Sequence, residues 1–168
     1  AEDGIRDVAV TGVQTCALPI WWGGGMSAGL LEIGGLSSHY SRILALRDIS
    51  LALAEGELLA LVGANGAGKT TLLRTISGVH KATGGHIRFA GADITAVPAN
   101  RRVRLGIAQV PEGRQVFGPL SVADNLLLGG YTRPARETKT DIDRIYDMFP
   151  ALAERRGHAA GTLSGGQQ

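Results

Sequence analysis

Gly63-Ala64-Asn65-Gly66-Ala67-Gly68-Lys69-Thr70 satisfies the pattern G-x-x-x-x-G-K-[ST], the P-loop. Its spacing suits the capture of a polyphosphate. The glycines permit backbone conformations that turn successive N–H groups toward one anion, and a helix after them adds the positive end of its dipole. Lys69 can then reach the β- and γ-phosphates, while the Thr70 hydroxyl can ligate Mg²⁺. The flanks agree, because the apolar run ELLALV over 57–62 enters the turn and a helical pattern leaves it. Binding of a nucleoside triphosphate is the chemistry implied.

A second candidate stands at the other end, Leu163-Ser164-Gly165-Gly166-Gln167. Alone, Ser-Gly-Gly reads as a flexible loop. It gains meaning from the P-loop, whose Gly68 lies 95 residues before Leu163. Tyr40 lies 29 residues ahead of Lys69. Its flat ring can stack on a base or fill a core position. His39, His80, His86 and His158 are scattered and read as surface or packing residues.

The elements that must position these residues are short strands separated by glycine, followed by helices. Residues 30–33, the run Ile43–Leu53 and residues 57–62 read as strands. A helix is expected over Lys69–Ser77, with Leu72, Leu73 and Ile76 on one face and Gly78 closing it. Residues 86–90 form a strand ended by Gly91, Pro98 opens a helix running to about Leu105, and 107–110 is a buried strand closed by Pro111. Then the character changes. Ser121 suits an N-cap with Asp124 at N3, a weaker relative of the capping box, for a helix to Leu128. Residues 137–149 place Ile142, Ile145, Tyr146 and Phe149 at helical spacing.

Composition excludes several classes. Hydrophobic residues make up 44% and charged residues 19% of the 168, as in an ordinary globular chain. No apolar stretch approaches the roughly 20 residues of a membrane-spanning helix, so a tie to a membrane would go through a partner. The lone Cys16 forms no internal disulfide. A net charge of +2 does not argue for nucleic acid, and Arg101, Arg102 and Arg104 read as a solvated helix face.

Residues 1–20, AEDGIRDVAVTGVQTCALPI, closely resemble the in-frame translation of a sequencing-library adapter, with Val8-Ala9 in the place of the index. The alternative is a genuine N-terminal strand at Val8-Ala9-Val10. On the adapter reading residues 1–25 are a non-native leader and Met26 is the natural start. Residues 26–168 then carry 16 basic against 12 acidic residues, a balance of +4.

Together the P-loop and Leu163-Ser164-Gly165-Gly166-Gln167 resemble the ATP-binding subunits of ABC transporters, and the likeness covers nearly all of residues 26–168. The run VPEGRQVFGPLSVADNLLLGGY, with Phe149-Pro150 and Glu154-Arg155-Arg156, resembles the importers of branched-chain amino acids, smaller-subunit subgroup. The resemblance implies an α/β fold: a P-loop NTPase core with an antiparallel β-subdomain and a helical subdomain, cut off at the signature motif. The core and β-subdomain would span about 30–110, the linking loop about 111–120, the helical subdomain about 120–160 and the signature 163–167.

For individual residues the resemblance implies adenine stacking by Tyr40. It also implies phosphate binding by Gly63, Asn65, Gly66, Ala67, Gly68, Lys69, Thr70 and Thr71. Ser164, Gly165, Gly166 and Gln167 would meet the γ-phosphate held by the P-loop of a second ATPase subunit, paired head to tail. Thr70 and Glu112 would serve Mg²⁺, and Lys69 and Glu112 catalysis. Here the chain departs from the family pattern, since Glu112 stands where a glutamine is usual and Gln109 falls inside the expected strand. The family's Asp-Glu strand and switch His do not occur in the chain, so the chain as given is expected to be a poor ATPase. Expected partners are the second ATPase subunit, membrane permeases and, indirectly, a solute-binding protein, at the cytoplasmic face of the cell membrane. Related importers of urea and amides, and soluble ABC proteins of DNA repair or translation, are the alternatives.

Overall fold

The structure, a computed structural model, describes residues 8–9, 29–113 and 115–167. The adapter-like leader otherwise lies outside the described residues. The chain divides into two compact units, one up to Gln109 and one from Val110.

The first unit is built on a four-stranded antiparallel sheet. Strand β2 (Leu31–Tyr40) pairs with β3 (Ile43–Leu53) on one side and with β5 (Gly84–Phe89) on the other, and β5 continues to β6 (Ala92–Asp93). Strand β2 is far longer than the four residues its alternation predicts. Between Ile33 and Leu36 the register slips by a bulge, so Ile33, Leu36 and Ser38 all turn inward despite their uneven spacing. Polar side chains of the hairpin fill the gaps: Ser50 Oγ accepts from the Gly35 amide at 2.9 Å, and Ser37 Oγ from the Asp48 amide at 3.1 Å.

Opposite this bulge the chain needs glycine. Gly85 has φ +78, and a Cβ there would stand 2.4 Å from the carbonyl carbon and oxygen of Gly35. Gly85→Ala is therefore expected to cost about 3 kcal/mol, the sum of a left-handed backbone and a backbone clash. A fall in the urea midpoint of unfolding checks it.

Helix α1 (Lys69–Ser77) has the predicted bounds, with Gly78 as C-cap at φ 82. Its buried face is Leu72, Thr75 and the half-buried Ile76, whereas Leu73 is 45% exposed, about 100° round the helix from Leu72. Leu72 joins Ile33, Leu36, Leu46, Ile87 and Ile94 in the core. Two expected strands shrink or vanish. Of 57–62 only β4 (Leu61–Val62) is paired, in parallel with β1 (Val8–Ala9), and 107–110 joins no ladder. Leu58 and Val110 are 95% and 94% exposed. A parallel strand is stable when it has neighbours on both edges and cover on both faces. Among the described residues these segments have neither.

Helix α2 (Ala99–Arg104) follows Pro98, which is its N-cap. The arginine triplet does not behave as one solvated face. Arg102 is only 3% exposed. Its guanidinium donates to four carbonyls: Val97 at 2.7 Å, Thr75 and Ile76 at 2.8 Å each, and Thr95 at 2.9 Å. Two of these belong to the last turn of α1, where the Gly78 amide also reaches Thr75 at 3.2 Å and the Ile76 carbonyl depends on Arg102. Burial lowers the Arg102 pKa from its ordinary value, the mark of a charge taken out of water.

The second unit holds α3 (Val122–Gly129), α4 (Ala135–Met148) and α5 (Pro150–Glu154), then a 3-10 turn, Ala160–Thr162. Ser121 and Asp124 form a complete capping box on α3, stronger than expected. Helix α4 starts two residues before its predicted bound because Pro134, at its N-cap, sets the start.

Candidate functional site

The P-loop runs between β4 and α1, as its flanks require. Gly66 and Gly68 are left-handed, at φ 84 and 91. The Ala67 amide closes a turn onto the Ala64 carbonyl at 3.1 Å. Gly68 is the N-cap of α1 and makes no side-chain cap bond, so the amides of the first turn stay available to an anion. A Cβ on Gly68 would stand 2.9 Å from the Ala45 carbonyl oxygen and 3.0 Å from Leu46 Cδ2. The base of the cradle thus rests directly on β3. Lys69 Nζ donates to the carbonyls of Gly63 at 2.6 Å and Ala64 at 2.8 Å, which folds the cation back over the loop. Free amides, a helix N-terminus and one ammonium converge here. This arrangement fits a polyphosphate, and Thr70 in the first helical turn offers one hydroxyl to a cation held with it. No cluster of three or more His, Cys, Asp or Glu that could hold a metal alone occurs among the described residues.

Tyr40 ends β2, is 41% exposed and stacks on His80, with ring centroids 4.2 Å apart and planes at 25°. It is therefore not a buried core tyrosine. His39 Nδ1 bonds Thr83 Oγ1 at 2.8 Å, which places it at the sheet rather than at the loop. Gln109 lies in no strand, and its side-chain oxygen accepts from Ser77 Oγ at 2.6 Å.

In the second unit Leu163 is 8% exposed and anchors the signature segment, while Ser164 is exposed. Residues 165–167 form a turn, closed by the Gln167 amide onto the Ser164 carbonyl at 2.9 Å and by the Ser164 amide onto the Gln167 side chain at 3.2 Å. Gly165 and Gly166 are thereby held in one tight bend behind the Ser164 hydroxyl. Glu112 is exposed in a bend, with no hydrogen bond among the described residues.

Sequence reasoning overlooks what holds this segment. The Asn125 side chain accepts from the Phe117 amide at 2.9 Å and donates to the carbonyls of Phe117 at 3.1 Å and Ser121 at 2.9 Å. The loop it grips is zipped to the stem of the signature: Gly161 donates to Gly118 at 3.0 Å, Ala160 to Leu120 at 2.8 Å, and Ser121 bridges Ala159. An asparagine in the first turn of a capped helix was the available signal. Asn125→Ala is expected to raise hydrogen exchange at the Phe117 amide about tenfold or more, because its acceptor is lost. Unchanged exchange there would contradict this role.

Residues 46–168 match the family described as ABC transporter. The high-affinity branched-chain amino acid transport ATP-binding protein BraG of Pseudomonas aeruginosa is 42% identical over 139 residues, which cover 83% of this chain and 60% of that protein. The probable branched-chain amino acid transport ATP-binding protein LivF of Archaeoglobus fulgidus is 38% identical over 139 residues, 83% of this chain and 59% of its own length. Among solved structures, an ATP-binding subunit of an ABC transporter superposes with a TM-score of 0.70 at 27% identity, over 82% of this chain and 57% of that one. The chain spans about 60% of the length of these two relatives.

Proposed function

The chain belongs to the ABC transporter family, and on that premise we propose that the intact protein is the ATP-binding subunit of an importer of branched-chain amino acids. The observation that carries the ATP-binding part is the cradle itself: left-handed Gly66 and Gly68, an uncapped α1 N-terminus and Lys69 folded over the same loop. The substrate rests on the run from Val110 to Tyr131 and on the printed functions of BraG and LivF.

In this reading Gly63, Asn65, Gly66, Ala67, Gly68, Lys69, Thr70 and Thr71 bind the phosphates of ATP. Thr70 would ligate the Mg²⁺ that accompanies those phosphates, and Glu112 would serve the same chemistry through a water, as the carboxylate that stands where an amide is usual. Ser164, Gly165, Gly166 and Gln167 face the ATP of a second subunit. Tyr40 stacks on adenine. The ATPase pair works at the cytoplasmic face of the membrane beneath permease subunits that receive substrate from a solute-binding protein. No described helix is long and apolar enough to cross a membrane.

The test is reconstitution of the intact protein with its permeases in vesicles loaded with Mg-ATP. Uptake of leucine, together with ATP-dependent pairing of the ATPase subunits, is expected. Uptake of urea with no leucine would replace the substrate. Absence of ATP-dependent pairing would overturn the proposal as a whole.

A further inference from the structure

The stacked pair Tyr40–His80 has a part that the P-loop and the signature do not account for. The two rings lie 4.2 Å apart at 25°, close enough for direct contact of their faces. His80 Nε2 is buried and meets no hydrogen-bond partner among the described residues, so polar anchoring does not explain the ring's position. What holds His80 is its backbone: its amide donates to the Arg74 carbonyl at 3.0 Å, just past the C-cap of α1. The His80 backbone is thus tied to the helix whose first turn forms the phosphate cradle, and its ring packs on Tyr40. Tyr40, by contrast, is the last residue of β2, before the two-residue turn Ser41–Arg42, with Ser41 at φ 54. A ring at a hairpin tip has little else to fix its plane.

We propose that His80 is a positioning residue for the base of the nucleotide: it backs one face of Tyr40 and holds the phenol ring in the plane that an adenine stacks upon. The inference rests on the reading of Tyr40 as an adenine platform and adds what sets that platform's orientation. One element, α1, then gauges both ends of the ligand, with its first turn at the phosphates and the segment after its last turn at the base. A stacked support needs an aromatic face and no ring nitrogen. Phenylalanine should therefore serve in place of histidine, and would remove the unpartnered nitrogen.

The test compares ATP with inorganic tripolyphosphate, which has the phosphates and lacks the base, by calorimetric titration of the full chain. His80→Ala is expected to weaken ATP about 2- to 10-fold, the worth of one aromatic pair, and to leave tripolyphosphate unchanged. His80→Phe should restore ATP affinity, and Tyr40→Ala should cost at least as much as His80→Ala, with no further loss in the double variant. Equal weakening of ATP and tripolyphosphate by His80→Ala would overturn the inference, since His80 would then support the loop generally. An unchanged ATP affinity in His80→Ala, with Tyr40→Ala still impaired, would overturn it while leaving Tyr40 as the platform. No loss in Tyr40→Ala would overturn the adenine reading itself.

Discussion

Replacing Lys69 by alanine is expected to weaken ATP binding about 10- to 100-fold while changing the stability of the chain by less than about 0.5 kcal/mol. The two halves of that expectation have different causes. Among the described residues Lys69 Nζ bonds the carbonyls of Gly63 and Ala64, both in an exposed loop that water can serve equally well. Its removal therefore strands no buried acceptor. A hydrogen bond from an ammonium to a phosphate is charge-assisted and contributes about 1.5–3 kcal/mol, which is one to two decades of affinity. Lys69→Arg should recover little, because a bulky planar fork does not replace a compact ammonium inside a tight turn. Titration of both variants beside a thermal melt separates the effects. A melt that collapses in Lys69→Ala would mean that the lysine holds the loop together rather than serving the ligand.

Arg102→Met should have the opposite profile, a large loss of stability. The side chain gathers four carbonyls from α1 and the segment before α2 while only 3% exposed. Methionine fills most of the volume and leaves the Val97, Thr95 and Ile76 carbonyls without this donor, each worth about 1–3 kcal/mol when buried, while Thr75 keeps the Gly78 amide. Relief of the buried charge offsets part of this. The net cost is expected at about 3 kcal/mol, a fall of roughly 10 °C in melting temperature for a chain of this size. Arg102→Lys should rescue only partly, since one ammonium cannot span four acceptors on separate turns. A melting temperature within a degree or two of the parent in Arg102→Met would show that the network is dispensable.

The parts of the fold written locally were legible in the sequence. Helix α1 follows from glycine before it, glycine after it and nine residues without a breaker between. The start of α3 follows from Ser121 and Asp124 alone. The parts decided by tertiary pairing were not. The second half of β2, Gly34-Gly35-Leu36-Ser37-Ser38, lies outside the strands expected from the sequence, yet its bulge and its closely approaching neighbour Gly85 make it an inner strand of the sheet. Arg102 reads as one of a solvated triplet because nothing in its neighbours reveals that α1 ends against it. The runs 57–62 and 107–110 have the composition of strands, but a ladder also needs an adjacent strand, which composition does not supply. For the site, the glycine turn and the helix of the P-loop were legible, whereas the Asn125 clamp and the ring behind Tyr40 depend on contacts across 8 and 40 residues.

Calorimetric titration of the chain with ATP, ADP and AMP in Mg²⁺ buffer tests the central claim most directly. A cradle of amides and one lysine recognises the outer phosphates, so ATP and ADP should bind saturably and AMP at least about tenfold more weakly, the worth of one lost charge-assisted bond. Binding of AMP as tight as that of ATP, or no saturable binding of any of the three, would contradict the account.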